Sequence, residues 1–313
     1  YGHAADDLAT WIQDGVLAHD ASPSTYVYRQ TFDLHGSRVS RHAVFGALRL
    51  SPFDEGHVLP HERTHAGPKK DRLALTHATR AQLSPIFMIA RDSDGEVFDL
   101  TLATAETSPV FSVRTPDAIG HELWRLEDEA ARSLCGAAGS DPLLIADGHH
   151  RYETALAAAA ELNDTATAEF LMVCVVSQRD PGLLVQPTHR VLGRTPEGAG
   201  AGWIDALERD FRLQSLGRVA PAEAEARAEA AGGGSLVVMP AAADGEAWLA
   251  EARENAFRDV APGDGWRRLA PVVFDSLVLR DLFGSDADSA SHAGYLSYAR
   301  APESALRSAG SSG

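Results

Sequence analysis

LLIADGHHRYETAL (residues 143–156) passes from Leu143, Leu144 and Ile145 through Ala146, Asp147 and Gly148 into two histidines, an arginine and a helix-forming run. That order describes a buried strand, a glycine turn and the start of a helix. Asp147, His149, His150 and Arg151 crowd the junction. The first N–H groups of a helix point outward unpaired and carry partial positive charge. With His and Arg beside them they make a cradle for phosphate or another anion. A purely structural alternative is open to the same residues, with Asp147 capping the helix and Arg151 pairing with a surface acid. Two adjacent histidines on a tight turn favour the functional reading.

A chain of 313 residues suits one large or two ordinary domains, and 44% hydrophobic residues can supply a sizeable core. Its 28 Lys and Arg against 44 Asp and Glu leave a net charge of −16, which disfavours nucleic acid and anionic membranes as partners. A local basic site for a small anion is compatible with an acidic shell. Cys135 and Cys174 form no metal-spaced pair, and Cys174 sits in the apolar run FLMVCVV, as a buried core thiol would. That usage fits a reducing cytoplasm. No apolar run reaches the ~18 residues of a membrane span, and the start shows no signal-peptide pattern. Tyr1 is not an initiator methionine, and residues 285–313, rich in Ser, Ala and Gly, are expected to fray; both ends suggest part of a longer protein.

Along the chain, residues 5–17 place Leu8, Trp11, Ile12 and Val16 at helical spacing. Residues 26–34 and 42–50 read as a strand hairpin, and 58–72 (VLPHERTHAGPKKDR) as a long polar loop. A helix is expected over 73–82, strands over 85–91, 97–103 and 110–113, and a helix over 118–134 that includes His121 and Glu122. A strand at 142–146 and a helix at 150–162 flank the opening motif. Residues 170–176 read as a central apolar strand and 183–192 as extended, because Pro187 stops a helix. Beyond Pro196 come a glycine linker at 198–202, a helix at 221–231, a strand at 235–240 and a final amphipathic helix at 271–283. The expected fold is mixed α/β. Residues 1–196 form a core domain, 197–284 a smaller α/β subdomain and 285–313 a flexible tail.

His61-Glu62-Arg63-Thr64-His65 matches the HExxH pattern of zinc hydrolases. Its context argues against that chemistry, since Pro60 and Gly67-Pro68 bracket a short polar segment with no apolar helix face. The same loop offers an acid (Glu62), cations (Arg63, Lys69, Lys70, Arg72) and donors (His61, Thr64). Phosphoryl transfer needs that mixture. A solvated charged loop is the bland alternative. Thr188, His189 and Arg190 form a third cluster after an expected strand end at Pro187. There is no GxxxxGK[ST] loop and no GxSxG elbow.

The combination of LPHERT, GPKKDR, SPIFMIARD, LLIADGHHRYETAL and QPTHRVL resembles the bacterial and archaeal family catalogued as domain of unknown function 1015. The resemblance runs from Tyr26 through PVVFDSLVLRDLF. Members usually carry a further N-terminal Pro-Pro-Tyr-Asp segment and a C-terminal motif bearing lysine, serine and tyrosine, neither of which is present in this chain. The DGHHR core also resembles the phosphate-binding signature of the ParB/sulfiredoxin-like superfamily, one branch of which comprises free L-serine kinases. That likeness implies a nucleotide-handling core in which Gly148, His149, His150 and Arg151 hold nucleotide phosphates. It further implies that Asp147 contacts magnesium or the acceptor hydroxyl, with His150 essential to turnover and Glu62 the candidate general base. His61, Arg63, Thr64, Lys69, Arg72, Thr188, His189 and Arg190 are the further candidates for binding the nucleotide. The expected activity is phosphoryl transfer from ATP or ADP with Mg2+ to a small hydroxyl acceptor such as free serine. A nucleotide-binding or slowly hydrolysing regulator and a non-enzymatic partner-binding protein are the alternatives. Homo-oligomer formation is left open.

Overall fold

Leu143–Asp147 is a strand whose Leu143 and Ile145 are buried while Leu144 and Ala146 are half-buried. This alternation comes from the two-residue period of a pleated strand. In the computed structural model it belongs to a chain described over residues 1–34, 36–61, 66–162, 168–185, 188–194, 202–241, 245–257 and 269–310. The chain forms two units, Tyr1–Leu184 and Val185–Gly313, dividing at 184/185 rather than near 197.

The first unit runs α1 (Gly2–Gln13), β1 (Thr25–Leu34), β2 (Ser37–Arg49), β3 (Val58–Leu59), α2 (Ala66–Thr79) and β4 (Ile86–Ala90). It continues with α3 (Glu96–Ala105), β5 (Phe111–Arg114), β6 (Gly120–Leu126), α4 (Asp128–Ala138), β7 (Leu143–Asp147), α5 (His149–Leu162) and β8 (Phe170–Ser177). The strands make one sheet of mixed direction in the order β3-β7-β4-β8-β2-β1-β6-β5. The mixed α/β expectation holds, and so does the central place of the apolar strand at 170–176: β8 pairs with β2 on one side and β4 on the other. Val27, Val44, Ile86, Met88, Trp124, Leu134, Ile145 and Val173 share the main core.

Three expectations about elements of the first unit fail. Residues 97–103 are helical, because the Asp92 carboxylate accepts from the amides of Val97 and Phe98, both at 3.0 Å, and so satisfies the start of α3. Its buried Val97, Thr101 and Ala105 recur every fourth residue. Residues 120–126 form a strand rather than a helix. Pairing of Thr25–Thr31 with Gly120–Leu126 overrides the helical spacing of the leucines, and His121 hydrogen-bonds Tyr28 across that pair. The charged stretch at 66–72 is the first half of α2 rather than loop; Pro68 falls in its first turn, where a missing N–H breaks no helical bond.

The second unit holds β9 (His189–Leu192), α6 (Trp203–Leu207), β10 (Phe211–Gly217), α7 (Pro221–Ala231), β11 (Ser235–Val238) and β12 (Ala247–Ala252). Residues 270–283 are helical as α8 (Ala270–Val273), a π-helical stretch (Phe274–Arg280) and α9 (Asp281–Phe283). The segment expected to fray instead forms α10 (Ala287–His292), β13 (Leu296–Ala299) and α11 (Pro302–Gly310). β13 pairs with β9, and β10-β12-β11 form a second small sheet. Phe211, Ala250, Val273, Leu277, Leu279, Tyr295 and Leu296 are among the buried residues of this unit's core. The expected linker at 198–202 lies, apart from Gly202, outside the described residues. Among the described residues, no helix is long and apolar enough to cross a membrane.

Cys174 is buried on β8, and burial pushes its thiol up to about 12, opposed by the nearby Arg41 cation. Unfolding returns the thiol to an ordinary value near ~8.5, so the unfolded chain releases this proton first. The stability held by the neutral buried thiol is complete below the unfolded value and falls as pH rises toward about 12. Urea titrations should therefore show wild type losing up to about 1.4 kcal/mol per pH unit more than Cys174→Ala above pH ~9. Equal pH slopes for the two proteins would contradict this.

Candidate active site

β7 delivers the site. Its apolar residues hold it in the sheet as far as Asp147, where the chain leaves through Gly148 at φ +107°. An added Cβ at Gly148 would lie 3.0 Å from both the Arg151 Nη2 and the Ile86 Cδ1, so the turn needs glycine for its conformation and for its space. α5 begins at once, its first regular hydrogen bond running from the Tyr152 amide to the Gly148 carbonyl at 2.9 Å. No acidic side chain occupies its first turn. Tyr152 then anchors the helix: its hydroxyl donates to the Ser51 carbonyl at 2.9 Å and accepts from the Ser51 amide at 3.1 Å.

A pocket of about 370 Å³, within the usual range for small-ligand sites, opens at this helix start. Arg72 from α2, Ser84 ahead of β4, and Asp147, Gly148, His149, His150 and Arg151 line it. Arg151 is held on three sides. Its Nη1 donates to Ser84 Oγ at 2.9 Å and to the Pro85 carbonyl, and its Nη2 donates to Asp147 Oδ2. The ion-pair half of the structural alternative is therefore real: Asp147 pairs with Arg151 one helical turn later. The Asp147 carboxylate remains 74% exposed at the pocket lip.

The adjacent histidines differ. His149 is 1% exposed, and its Nε2 accepts the backbone amide of His61 at 3.2 Å. That nitrogen braces the segment after β3. His150 is half-buried, with its carbonyl accepting from Thr154 Oγ1 at 2.6 Å. β3 runs parallel to β7, with Leu59 opposite Leu144, and His61 lies two residues past its end. The His61 Nδ1–H donates to the Ile145 carbonyl at 2.7 Å.

Sequence-selected residues thus divide into three groups. His61, Arg72, Asp147, Gly148, His149, His150 and Arg151 come together around this strand end. Glu62, Arg63 and Thr64, and the side chain of Lys69, lie outside the described residues, while Lys70 is exposed on α2. Thr188, His189 and Arg190 belong to the second unit, where His189 and Arg190 open β9. Arg190 lies over the rings of Phe274 and Tyr298 at 5.4 and 5.9 Å, and His189 Nε2 is 3.7 Å from Glu225. Ser84 escapes sequence reading because it reaches Arg151 across 67 residues. Of the HExxH match only His61 is among the described residues, and it precedes α2. Among the described residues, no group of three His, Cys, Asp or Glu side chains could hold a metal ion.

Residues 1–269 match the family model described as a protein of unknown function, DUF1015. No curated protein and no solved structure matches the chain significantly.

Two glycine substitutions should shift stability in opposite directions. Gly148→Ala should cost about 1–3 kcal/mol through its positive φ alone, with the two close contacts adding to that. Gly136→Ala, in the last turn of α4 with nothing within 4 Å of the new Cβ, should stabilise by about 0.5–1 kcal/mol. A Gly148→Ala urea midpoint at or above that of wild type would show that the Gly148 turn is not under this constraint.

Proposed function

The chain belongs to the DUF1015 family, proteins of unknown function, and on that footing we propose that its first unit is a small-molecule kinase. It moves a phosphoryl group from ATP or ADP, carried with Mg2+, to the hydroxyl of a small metabolite. Free L-serine is the acceptor suggested by the resemblance of DGHHR to the serine kinase signature. The observation that carries the reading is the convergence of Arg72, Ser84, Asp147, His150 and Arg151 at the amide-bearing start of α5.

Phosphoryl transfer asks little covalent chemistry of a protein. It asks for in-line positioning and for neutralisation of charge spread over phosphate oxygens. Arg151 arrives pre-oriented by Ser84 and Pro85, so its planar fork loses little freedom on meeting a phosphate. Arg72 and the first amides of α5 add positive potential from other directions. Asp147 fits a magnesium ligand, because Mg2+ takes one or two carboxylates, several waters and the substrate phosphates. When bound, the ion would neutralise phosphate charge, and it would reduce the repulsion that a net charge of −16 imposes on a bare nucleotide.

Wild-type protein incubated with Mg-ATP or Mg-ADP and a panel of hydroxyl amino acids should produce a phosphomonoester signal in phosphorus NMR. Asp147→Ala and His150→Ala should each lower kcat about 10²–10³-fold, the scale for losing one charge-stabilising group, with far-UV circular dichroism unchanged. Full turnover in both variants would remove the assignment. Inorganic phosphate as the sole product would make the protein a nucleotide-hydrolysing regulator. An unmoved Tm with every nucleotide would instead favour a non-enzymatic binding protein, since a ligand at ~100 times its Kd adds ~2.7 kcal/mol.

A further inference from the structure

His61 is oriented from two directions, which leaves one of its ring nitrogens uncommitted among the described residues. Its backbone amide donates to His149 Nε2 at 3.2 Å, and its Nδ1 lies 2.7 Å from the Ile145 carbonyl oxygen. A carbonyl oxygen can only accept, so Nδ1 carries the ring proton and Nε2 of the neutral ring keeps a lone pair. The buried His149 ring meets that of His61 edge-on, with centroids 4.4 Å apart and planes at 87°. His61 itself is exposed, and its ring is anchored to the carbonyl of Ile145, two residues before Asp147. An imidazole held through Nδ1–H that keeps the lone pair of Nε2 is the arrangement a general base requires.

Building on the phosphoryl-transfer reading above, we propose that His61 Nε2 takes the proton of the acceptor hydroxyl and that His149 is the residue that positions it. The motif resemblance puts that role on Glu62, whereas the oriented lone pair belongs to its neighbour. In the step, the hydroxyl proton passes to His61 Nε2 while the hydroxyl oxygen forms a bond to the terminal phosphorus of the nucleotide. The bond from that phosphorus to its bridging oxygen breaks. Its electron pair leaves on the nucleoside diphosphate when ATP is the donor, or on the monophosphate when ADP is. His61 then returns the proton to solvent. The acceptor is an alcohol, whose high pKa makes a base useful.

His61→Asn keeps an amide donor for the Ile145 carbonyl and removes the basic nitrogen. Its kcat should fall about 10²–10⁴-fold, the scale of general-base catalysis, with the KM for Mg-ATP unchanged. His149→Gln preserves an acceptor for the His61 amide and should retain most turnover, whereas His149→Leu should lose it at unchanged nucleotide affinity. Nitrogen-15 shifts of wild-type His61 should report the Nδ1–H tautomer. The role is overturned if His61→Asn turns over normally, if His61 proves to be the Nε2–H tautomer, or if Glu62→Gln alone abolishes kcat. Wild type that binds nucleotide yet makes no phosphomonoester sinks the phosphoryl-transfer reading and this role with it. An active wild type with an unimpaired His61→Asn sinks the His61 role alone.

Discussion

The Arg151 guanidinium ties together the end of β7, the entry to β4 and the first turn of α5. Its Nη2 holds Asp147, and its Nη1 holds Ser84 and the Pro85 carbonyl. With Asp147 74% exposed, the ion pair itself contributes at most about 1 kcal/mol. Its importance is geometric. A planar fork with three fixed acceptors sets where the strand ends and how the helix begins. Gly148 makes this possible, because a Cβ there would crowd the guanidinium at 3.0 Å. Pocket, helix start and lip carboxylate therefore stand or fall as one arrangement. The same charge is already satisfied within the protein, so an incoming anion would meet a positioned cation rather than order a mobile one.

Much of this was legible in the sequence wherever the signal is local. The strand–glycine–helix at 143–156, the hairpin of β1 and β2, the helix at Pro221–Ala231 and the buried Cys174 all follow from short-range pattern. Elements decided by distant partners were not. LTLATA alternates well enough to read as a strand until the Asp92 carboxylate, in the DSDG stretch just ahead, is seen to satisfy the helix amides; that cluster of capping residues was the available signal. HELWRL has helical leucine spacing but is claimed by β1 across nearly a hundred residues. At the site, residue types pointed to an anion cradle, yet nothing in DGHHR separates a buried brace at His149 from a half-buried pocket residue at His150. That difference is made by the His61 amide, which comes from another strand.

The second unit shows a different kind of dependence. The family match stops at residue 269, while Val273, Phe274, Leu277, Leu279, Tyr295 and Leu296 supply a large part of that unit's buried core. β9, which carries His189 and Arg190, finds its strand partner among the described residues only in Leu296–Ala299. A boundary drawn at the end of the match would leave that strand with an open edge and the core with one side missing.

Chain order also has a consequence during synthesis. β8 is the last strand of the first unit to be made, yet it sits in the middle of the sheet, between β4 and β2. Until it emerges from the ribosome, the two halves of the sheet have no common strand. β9 then waits for a partner that begins at Leu296, while its own first residue is His189. At translation rates of about 5–20 residues per second, that interval amounts to roughly 5–20 s in which β9 is exposed. A nascent chain stalled in this window would have every strand of its first sheet but no means of closing its second unit, a state that chaperones and proteases would recognise.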